Sequence, residues 1–160
     1  MKTMRTLFSI LIGLFLCLAG SVPSFGGENQ HVLQRSYTLH PIGQVEKDGG
    51  RTRIVLDKKY QPGLLGLDTY SHIYVLYWFN LNDTPAKRSI LQVHPHGNKN
   101  NPVAGVFATR APVRPNLIAL SLCKIISIRD NVLEVDQIDA FPHTPVLDIK
   151  PYIPVIDTVP

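Results

Sequence analysis

Residues 71–79, SHIYVLYWF, constrain the fold more than any other part of the chain. β-Branched, aliphatic and aromatic side chains occupy almost every position, and such side chains favour strands. Because the run is short and almost wholly apolar, it predicts a strand that is buried on both faces. The sequence contains no amphipathic pattern of twelve residues, so a mainly helical fold is excluded.

Shorter segments with strand character account for much of the remaining sequence: residues 37–45, 51–56, 90–93, 103–109, 117–129, 132–136 and 146–149. Residues 47–50 (KDGG) and 129–131 (RDN) have the composition of hairpin turns, and residues 61–67 that of a loop or short helix. Hydrophobic residues make up 44% of the chain and charged residues 18%, as in globular proteins. The pattern predicts a single all-β domain, a small barrel or sandwich, with short helices or loops.

The first residues have the character of a leader. Lys2 and Arg5 precede an apolar run, residues 7–20, and small residues follow up to Gly26. This order is typical of a secretory signal peptide, here residues 1–26, followed by a flexible lead (27–36) and the β domain (37–160). The apolar run is shorter than the roughly 20 residues that a membrane span needs, so we expect no stable span after cleavage. We expect an exported protein, periplasmic or secreted, or a cytoplasmic one if the leader is not functional.

The net charge gives little support to general nucleic-acid binding. The whole chain carries +4, from 16 Lys and Arg against 12 Asp and Glu. Loss of Lys2 and Arg5 with the leader would lower the net charge to +2. Strong non-specific nucleic-acid binders usually carry more positive charge, clustered on one face. Only a local pair of arginines therefore argues for an anionic ligand.

That pair lies in residues 105–121, GVFATRAPVRPNLIALS. Arg110 and Arg114 are four residues apart with Pro112 between them, and proline disfavours helix at its own and the preceding position. The two arginines are therefore predicted on a stiff loop between two strands. Each guanidinium presents a planar fork of donors that suits carboxylates and phosphates. We predict an anion-binding wall, and a solvated basic loop is the alternative.

The histidines and the cysteine give weaker indications. His94 and His96 are two residues apart, on the same side of a segment predicted to be extended. A metal site needs a third and a fourth ligand, and no spacing ties another histidine to this pair. We therefore prefer polar contact with a substrate, and a metal-binding protein is the weaker alternative. Cys123 lies between apolar residues, and this pattern predicts an unreactive thiol in the core.

Two further constellations bear on catalysis. Ser71 and His72 do not predict a serine hydrolase, because neighbouring residues of a strand point to opposite faces. Asp136, Asp139 and Asp148 are carboxylates near the end of the chain. Carboxylates across a cleft can support acid/base work, but short Asp side chains near turns are usually caps and loop formers. The residues alone leave both interpretations open.

Several spaced motifs resemble one known family. From residue 40 onward the chain is similar to the TsaA-like proteins, the TrmO family of tRNA methyltransferases, in four segments: HPIGQVE (40–46), GLDTYSHIYVLYWF (66–79), VHPHGNKNNPVAGVFATRAPVRPNLIALS (93–121) and TPVLDIKPYIP (144–154). The resemblance implies a single β-barrel domain that forms homodimers. It also implies S-adenosylmethionine as cofactor and tRNA as partner, with methyl transfer to the exocyclic nitrogen of a threonylcarbamoyl-modified adenosine beside the anticodon.

The resemblance also implies site residues. By the family pattern, the cofactor would be bound by Asn80, Leu81, Arg110, Leu120, Asp136, Gln137, Ile138 and Asp139. The substrate would be contacted by His94, His96, Arg114, Asn116, Lys150 and Tyr152, where Lys150 offers a cation and Tyr152 an aromatic face. No metal ligand is assigned, and the catalytic residues stay unidentified.

The chain departs from the family pattern near the implied cofactor pocket. Residues 47–50 form a tight turn where members carry a cofactor-contacting insertion, and residues 142–145 read Pro-His-Thr-Pro in place of Asp-Gly-Thr-Pro. Asn80 replaces a usual His, and Leu117 a common Pro. Together with the leader, these departures support an alternative function, an exported non-catalytic module that binds another anionic ligand.

Overall fold

Strands dominate the computed structural model, which describes residues 36–159. Its eight strands are β1 (Gly43–Asp48), β2 (Arg51–Leu56), β3 (His72–Trp78), β4 (Gln92–Val93), β5 (Ala104–Gly105), β6 (Ile118–Arg129), β7 (Val132–Val135) and β8 (Pro145–Pro151). Six of them close into an antiparallel barrel in the order β1-β2-β7-β6-β3-β8, while β4 and β5 form a separate two-stranded sheet. The predicted β-barrel is therefore confirmed. The predicted leader, and the lead up to residue 35, lie outside the described residues.

Helical elements in the described part of the chain are short. Two are α-helical, α1 (Pro85–Arg88) and α2 (Pro154–Asp157), and five are 3₁₀ turns at Lys58–Leu64, Leu67–Thr69, Asn80–Asn82, Pro95–Gly97 and Val106–Ala108. No helix among residues 36–159 has the length and apolar character needed to span a membrane. The loop or short helix predicted at 61–67 is confirmed as 3₁₀ turns.

Alternate side chains of the barrel strands fill its interior. On β3 the inward residues Ile73, Val75 and Tyr77 are buried, whereas the residues between them are only half-buried. The prediction that residues 71–79 are buried on both faces was wrong, because the outer face of this strand is covered only in part, whereas helices cover both faces of a parallel sheet. The interior is completed by residues from the other strands, which include Val45, Ile54, Cys123, Leu133 and Val146.

The β1–β2 hairpin closes through Gly49 and Gly50, both with positive φ, of 55° and 76°. Two consecutive residues of positive φ are what a two-residue hairpin of matching twist requires, and glycine adopts them without steric cost. The turn predicted at 47–50 is therefore confirmed, as is the turn at 129–131, where Asp130 also has a positive φ.

Other strand boundaries differ from the predictions. The first strand begins at Gly43 rather than at residue 37, and the segments predicted at 90–93 and 103–109 contain only the two-residue strands β4 and β5. In the second of these segments the chain turns at Val106–Ala108, because the backbone N–H of Thr109 donates to the carbonyl of Val106 at 3.3 Å. The long strand predicted at 117–129 is confirmed as β6.

Candidate functional site

Tyr77 lies at the centre of the candidate site, on the inner face of β3. Its phenolic O–H donates to the carbonyl of Asp139 at 2.6 Å, so the hydroxyl of Ser121, 3.1 Å away, donates to the phenolic oxygen. Burial raises the pKa of Tyr77, and the hydrogen bond with Ser121 opposes this rise. The carboxylate of Asp139 raises the pKa further, while the charge of Arg110 lowers it. Arg110 and Asp139 therefore both lie within electrostatic reach of this phenol.

Residues 136–139, which follow β7, divide into two kinds. Asp136 accepts from the backbone N–H of Lys124 at 2.8 Å and from that of Gln137 at 2.7 Å, so its carboxylate shapes the turn. Ile138 is buried in the core, and its carbonyl accepts from Lys47 Nζ at 2.9 Å. Asp136, Gln137 and Asp139 are exposed, and the two hydrogen bonds of Asp136 use only its Oδ1. Of the four cofactor residues predicted here, Ile138 alone has a side chain that is buried and inaccessible to a ligand.

The two arginines of the predicted anion-binding wall differ in their surroundings. Arg114 Nη2 donates to the carbonyl of Val106 at 2.7 Å and to that of Thr109 at 3.2 Å. Arg110 is exposed and makes no hydrogen bond or salt bridge to another described residue. The backbone partners of Arg114 were not predicted, because they arise from the turn at Val106–Ala108, which brings the carbonyls to its Nη2. The anion-binding wall stays a prediction. Arg114 fixes the shape of the loop, and Arg110 is available to an anion.

A polar cluster that the sequence analysis did not identify supports the same loop. Trp78 Nε1 donates to Asp83 at 3.1 Å, and Arg88 Nε donates to the other carboxylate oxygen at 2.8 Å. These two hydrogen bonds lower the pKa of Asp83, with that of Arg88 the larger cause. Arg88 also donates to the carbonyl of Pro115 at 2.9 Å, while its guanidinium lies over the Trp78 ring. No local spacing indicates that contact, since Pro115 follows 27 residues later.

The histidine pair lies in a turn rather than in an extended segment. His94 Nδ1 is 2.7 Å from the carbonyl of Asn101, and His96 has a positive φ of 59° within the turn Pro95–Gly97. Both imidazoles were predicted on the same side of an extended segment, and the turn does not place them there. Within residues 36–159, no three His, Cys, Asp or Glu side chains converge in a way that could hold a metal ion.

The remaining substrate candidates are dispersed. Asn116 is exposed beside the start of β6. Lys150 forms a 3.0 Å ion pair with Asp148, and the Tyr152 ring packs edge-on against Tyr74 at 5.8 Å between centroids. Because Lys150 pairs with Tyr74 on β3, it lies about six residues, roughly 20 Å, along the strand direction from Asn80. A single chain therefore does not bring Lys150 together with Asn80.

Ser71 and His72 do contact each other, contrary to the sequence-based expectation. Ser71 Oγ is 2.9 Å from His72 Nδ1. The alternation rule fails here because Ser71 precedes β3, which begins at His72. Among the described residues, no carboxylate hydrogen-bonds to His72, so the pair lacks the third group that would orient a catalytic base.

Apolar side chains occupy the outer surface beside the candidate site. Leu120 and Leu122 of β6 are 43% and 46% exposed, and they pair across the sheet with Leu76 and Tyr74 of β3. We call these four residues the outer β3–β6 face. Leu81, in the turn that follows β3, is also exposed, as is its neighbour Asn80. The predicted cofactor residues Leu120, Leu81 and Asn80 thus lie on an accessible and partly apolar surface.

Two clefts in the described part of the chain lie elsewhere. One, of about 560 Å³, lies between the loop that contains Tyr60 and Tyr70 and the end of β8. The other, of about 450 Å³, is lined by residues that include Asp57 and His143. Neither is lined by Arg110 or Asp139. In an isolated chain, the surface around Tyr77, Arg110 and Asp139 is therefore not part of either cleft.

Comparison with known proteins adds independent evidence. Residues 35–158 match the family model described as the tRNA-methyltransferase O N-terminal domain. A probable S-adenosyl-L-methionine-binding protein of Methanocaldococcus jannaschii is 47% identical over 114 residues, which cover 71% of this chain and 90% of that protein. The human tRNA (adenine(37)-N6)-methyltransferase is 39% identical over 98 residues, 61% of this chain and 22% of that enzyme.

The solved structures agree in fold. The crystal structure of TrmO from Pseudomonas aeruginosa matches with a TM-score of 0.59 and 27% identity. The match covers 78% of this chain and 60% of that one, so this chain spans less than two thirds of the solved TrmO chain. The fold is thus similar to that of the solved structure over the matched part.

Proposed function

The chain belongs to the tRNA-methyltransferase O family, and we propose that it binds S-adenosylmethionine and methylates an adenosine of tRNA. The substrate we propose is the threonylcarbamoyl-modified adenosine beside the anticodon, with the exocyclic N6 as acceptor. The observation that carries this proposal is the hydrogen bond from the Tyr77 hydroxyl to the Asp139 carbonyl, which fixes the exposed Asp139 at the barrel, while Arg110 also stays exposed.

The exposed side chains fit the chemical groups of this cofactor. The fork of Arg110 suits the carboxylate of the methionine part. The carboxylate of Asp139 suits the ribose hydroxyls or the ammonium group, and the exposed Leu81 and Leu120 offer apolar area to the adenine. When bound, the cofactor supplies an electrophilic methyl group on a sulfonium.

The contribution of the protein would then be position rather than covalent chemistry. Alignment of two reactants removes much of the entropic barrier of a bimolecular step. Tyr77 fixes the backbone at Asp139, and Arg114 fixes the loop that carries Arg110. Tyr77 is protonated at neutral pH, as an ordinary phenol is, and burial raises its pKa further, so it remains a donor to the Asp139 carbonyl. The base that accepts the N6 proton is not assigned.

We further propose that two copies pair through the outer β3–β6 face. Leu120 and Leu122 expose nearly half of their surface there, and burial of apolar surface favours association. Leu120 is also a proposed cofactor contact, so pairing at this face would cover a site that is open in one chain. In this arrangement tRNA would contact the protein at more than one point, through the proposed substrate residues His94, His96, Asn116, Lys150 and Tyr152.

A second candidate is an exported module without catalytic activity. The observation that favours it is the hydrogen bond from Lys47 to the carbonyl of Ile138, which brings the short β1–β2 hairpin onto the segment proposed to hold the cofactor. The family resemblance implies a cofactor-contacting insertion at this hairpin, and this chain has a tight turn in its place. Arg110 would then serve another anionic ligand, in a periplasmic or secreted protein.

Calorimetric titration with S-adenosylmethionine separates the two candidates. We expect micromolar binding by the native protein, loss of binding in Arg110→Ala, and native binding in the control Arg129→Ala, which removes an exposed arginine from the end of β6. Binding would then justify a methyl-transfer assay on anticodon stem-loops with and without the threonylcarbamoyl group. If the folded protein gives no heat of binding at millimolar S-adenosylmethionine, the proposed enzymatic activity is contradicted and the non-catalytic binding module remains.

A further inference from the structure

The Phe107 ring lies at the surface, on a turn whose backbone is held by several hydrogen bonds. The ring is 82% exposed, the largest exposed fraction of any aromatic side chain among the described residues. The residue before it, Val106, is buried, and its N–H donates to the carbonyl of Leu91 at 2.9 Å. The Val106 carbonyl accepts from the Thr109 N–H at 3.3 Å, from the Thr109 hydroxyl at 3.2 Å and from Arg114 at 2.7 Å.

This arrangement costs stability without benefit to the fold. A phenylalanine ring gains free energy when it is buried, and here it stays in water. The backbone of the turn is nevertheless held by the hydrogen bonds of Val106, so the point at which the Phe107 side chain leaves the backbone is fixed. A backbone that is ordered before binding loses little conformational entropy when a ligand arrives, which is a property of recognition surfaces.

The charge around Phe107 selects the kind of ligand. Residues 84–116 contain five cationic side chains and no Asp or Glu: Lys87, Arg88, Lys99, Arg110 and Arg114. The net charge of this segment is +5 with neutral histidines, whereas the whole chain carries +4. Asp83, directly before the segment, pairs with Arg88 at 2.8 Å and offsets one of the five charges. The positive charge of the chain is thus concentrated on the loops that carry Phe107. A second copy of the same segment would be repelled, so its charge favours an anionic partner over self-association.

An exposed aromatic ring beside basic side chains is the combination that binds single-stranded nucleic acids. Aromatic rings stack on bases of any sequence, and the cations attract the phosphate backbone. We propose that Phe107 is a stacking platform for an unpaired base of the RNA substrate, within a basic RNA-binding surface formed by residues 84–116. The identity of the RNA rests on the proposed function, but the stacking contact itself does not require methyl transfer.

The test is the binding of a fluorescein-labelled anticodon stem-loop, measured by anisotropy at several salt concentrations. Phe107→Ala should weaken binding about tenfold, as loss of one stacked base predicts, and Phe107→Trp should bind as tightly as the native protein. The salt dependence should be unchanged in both variants, because no charge is removed. Leu65→Ala, which shortens a 95% exposed apolar side chain on another loop, should bind normally.

The outcomes separate this inference from the proposed function. Native RNA affinity in Phe107→Ala, or absence of RNA binding by the native protein at low salt, would overturn the stacking role. A change of sedimentation coefficient in Phe107→Ala would also overturn it, since the ring would then lie in an interface between copies. RNA binding that depends on Phe107, from a protein that does not bind S-adenosylmethionine, would support the inference and contradict the enzyme.

Discussion

The phenolic O–H of Tyr77 donates to the backbone carbonyl of Asp139 across 62 residues of sequence, at 2.6 Å. This bond joins the inner face of β3 to the segment that follows β7. It is also the direct link between the barrel core and a side chain proposed to bind the cofactor. The position of the Asp139 carboxylate therefore depends on a hydroxyl that is itself buried.

Tyr77→Phe should lower both stability and cofactor affinity. Removal of the hydroxyl leaves the Asp139 carbonyl and the Ser121 hydroxyl without this partner, which costs about 1–3 kcal/mol. We expect a lower urea midpoint with an unchanged slope, and weaker S-adenosylmethionine binding by calorimetry. Tyr60→Phe is the matched control, because Tyr60 lies in the turn Lys58–Leu64, outside both the candidate site and the outer β3–β6 face. An unchanged midpoint in Tyr77→Phe would contradict the role given to this bond.

Arg114 and Arg110 should behave differently when replaced. Arg114→Ala removes a charged donor from two backbone carbonyls, and we expect a loss of about 1.5–3 kcal/mol in the free energy of unfolding. Hydrogen exchange should become faster at residues 106–109. Arg110→Ala should leave stability within about 0.5 kcal/mol, because the side chain is exposed and its loss affects only ligand binding. Equal destabilisation by both variants would refute this division.

Pairing through the outer β3–β6 face predicts the effect of a charge at Leu122. This side chain lies opposite Tyr74 on the sheet, and Leu122→Glu would place a carboxylate within a buried apolar contact. We expect the variant to sediment as a folded monomer where the native protein sediments as a dimer. Leu65→Glu adds the same charge at a fully exposed loop position and should remain dimeric. A native protein that is monomeric at high concentration would contradict the proposed interface.

The barrel could be predicted from sequence because its signals are local. β-Branched, aliphatic and aromatic residues fill β3, and Gly49 and Gly50 mark a hairpin whose turn needs two positive φ angles. The burial of Cys123 follows from its apolar neighbours in the same way. Each of these features depends on a few adjacent residues, which a single sequence displays.

The site could be predicted only in part because its contacts are long-range or turn-dependent. Arg110 and Arg114 look alike in sequence, and they differ because the chain turns back at Val106–Ala108 and offers carbonyls to Arg114 alone. Tyr77 gives no polar signal within an apolar run, since its partner Asp139 is remote in sequence. The role of Arg88 could not be predicted either, because its contact with Pro115 joins segments that are 27 residues apart in sequence.

At Gly43 the backbone of the neighbouring strand leaves no space for a side chain. A Cβ there would lie 2.2 Å from the carbonyl oxygen of Val55 and 2.7 Å from the Cα of Leu56, on the paired strand β2. Gly43→Ala must separate β1 from β2, and we expect a loss of about 3 kcal/mol in thermal or urea unfolding. Gly63→Ala is the control, because nothing lies within 4 Å of the added Cβ and its stability should be equal or slightly higher. Equal stability of the two variants would show that β1 can move at little cost.

Cys123 predicts how the barrel responds to alkaline pH. Burial, with a smaller effect from Asp136, raises the pKa of this thiol from 9.0 to about 12. Since the thiolate is the reactive form, iodoacetamide should not modify the Cys123 peptide of the folded protein at pH 8, but should do so in denaturant. A folded pKa above the unfolded value means that the unfolded chain releases the proton first. The stabilising contribution is therefore complete below about pH 9 and is lost as the pH rises towards 12.

The urea midpoint should accordingly fall between pH 9 and pH 11. Cys123→Ala leaves a small cavity and should be less stable at neutral pH. Its midpoint should decline less steeply with pH than that of the native protein, because the group that titrates is gone. Tyr77 titrates with the same sign, since its pKa is also raised, so part of the decline should persist in the Cys123 variant. The native protein and Cys123→Ala could instead show the same decline of urea midpoint with pH, or iodoacetamide could rapidly modify the folded chain at pH 8. Either result would show that the thiol is accessible to water.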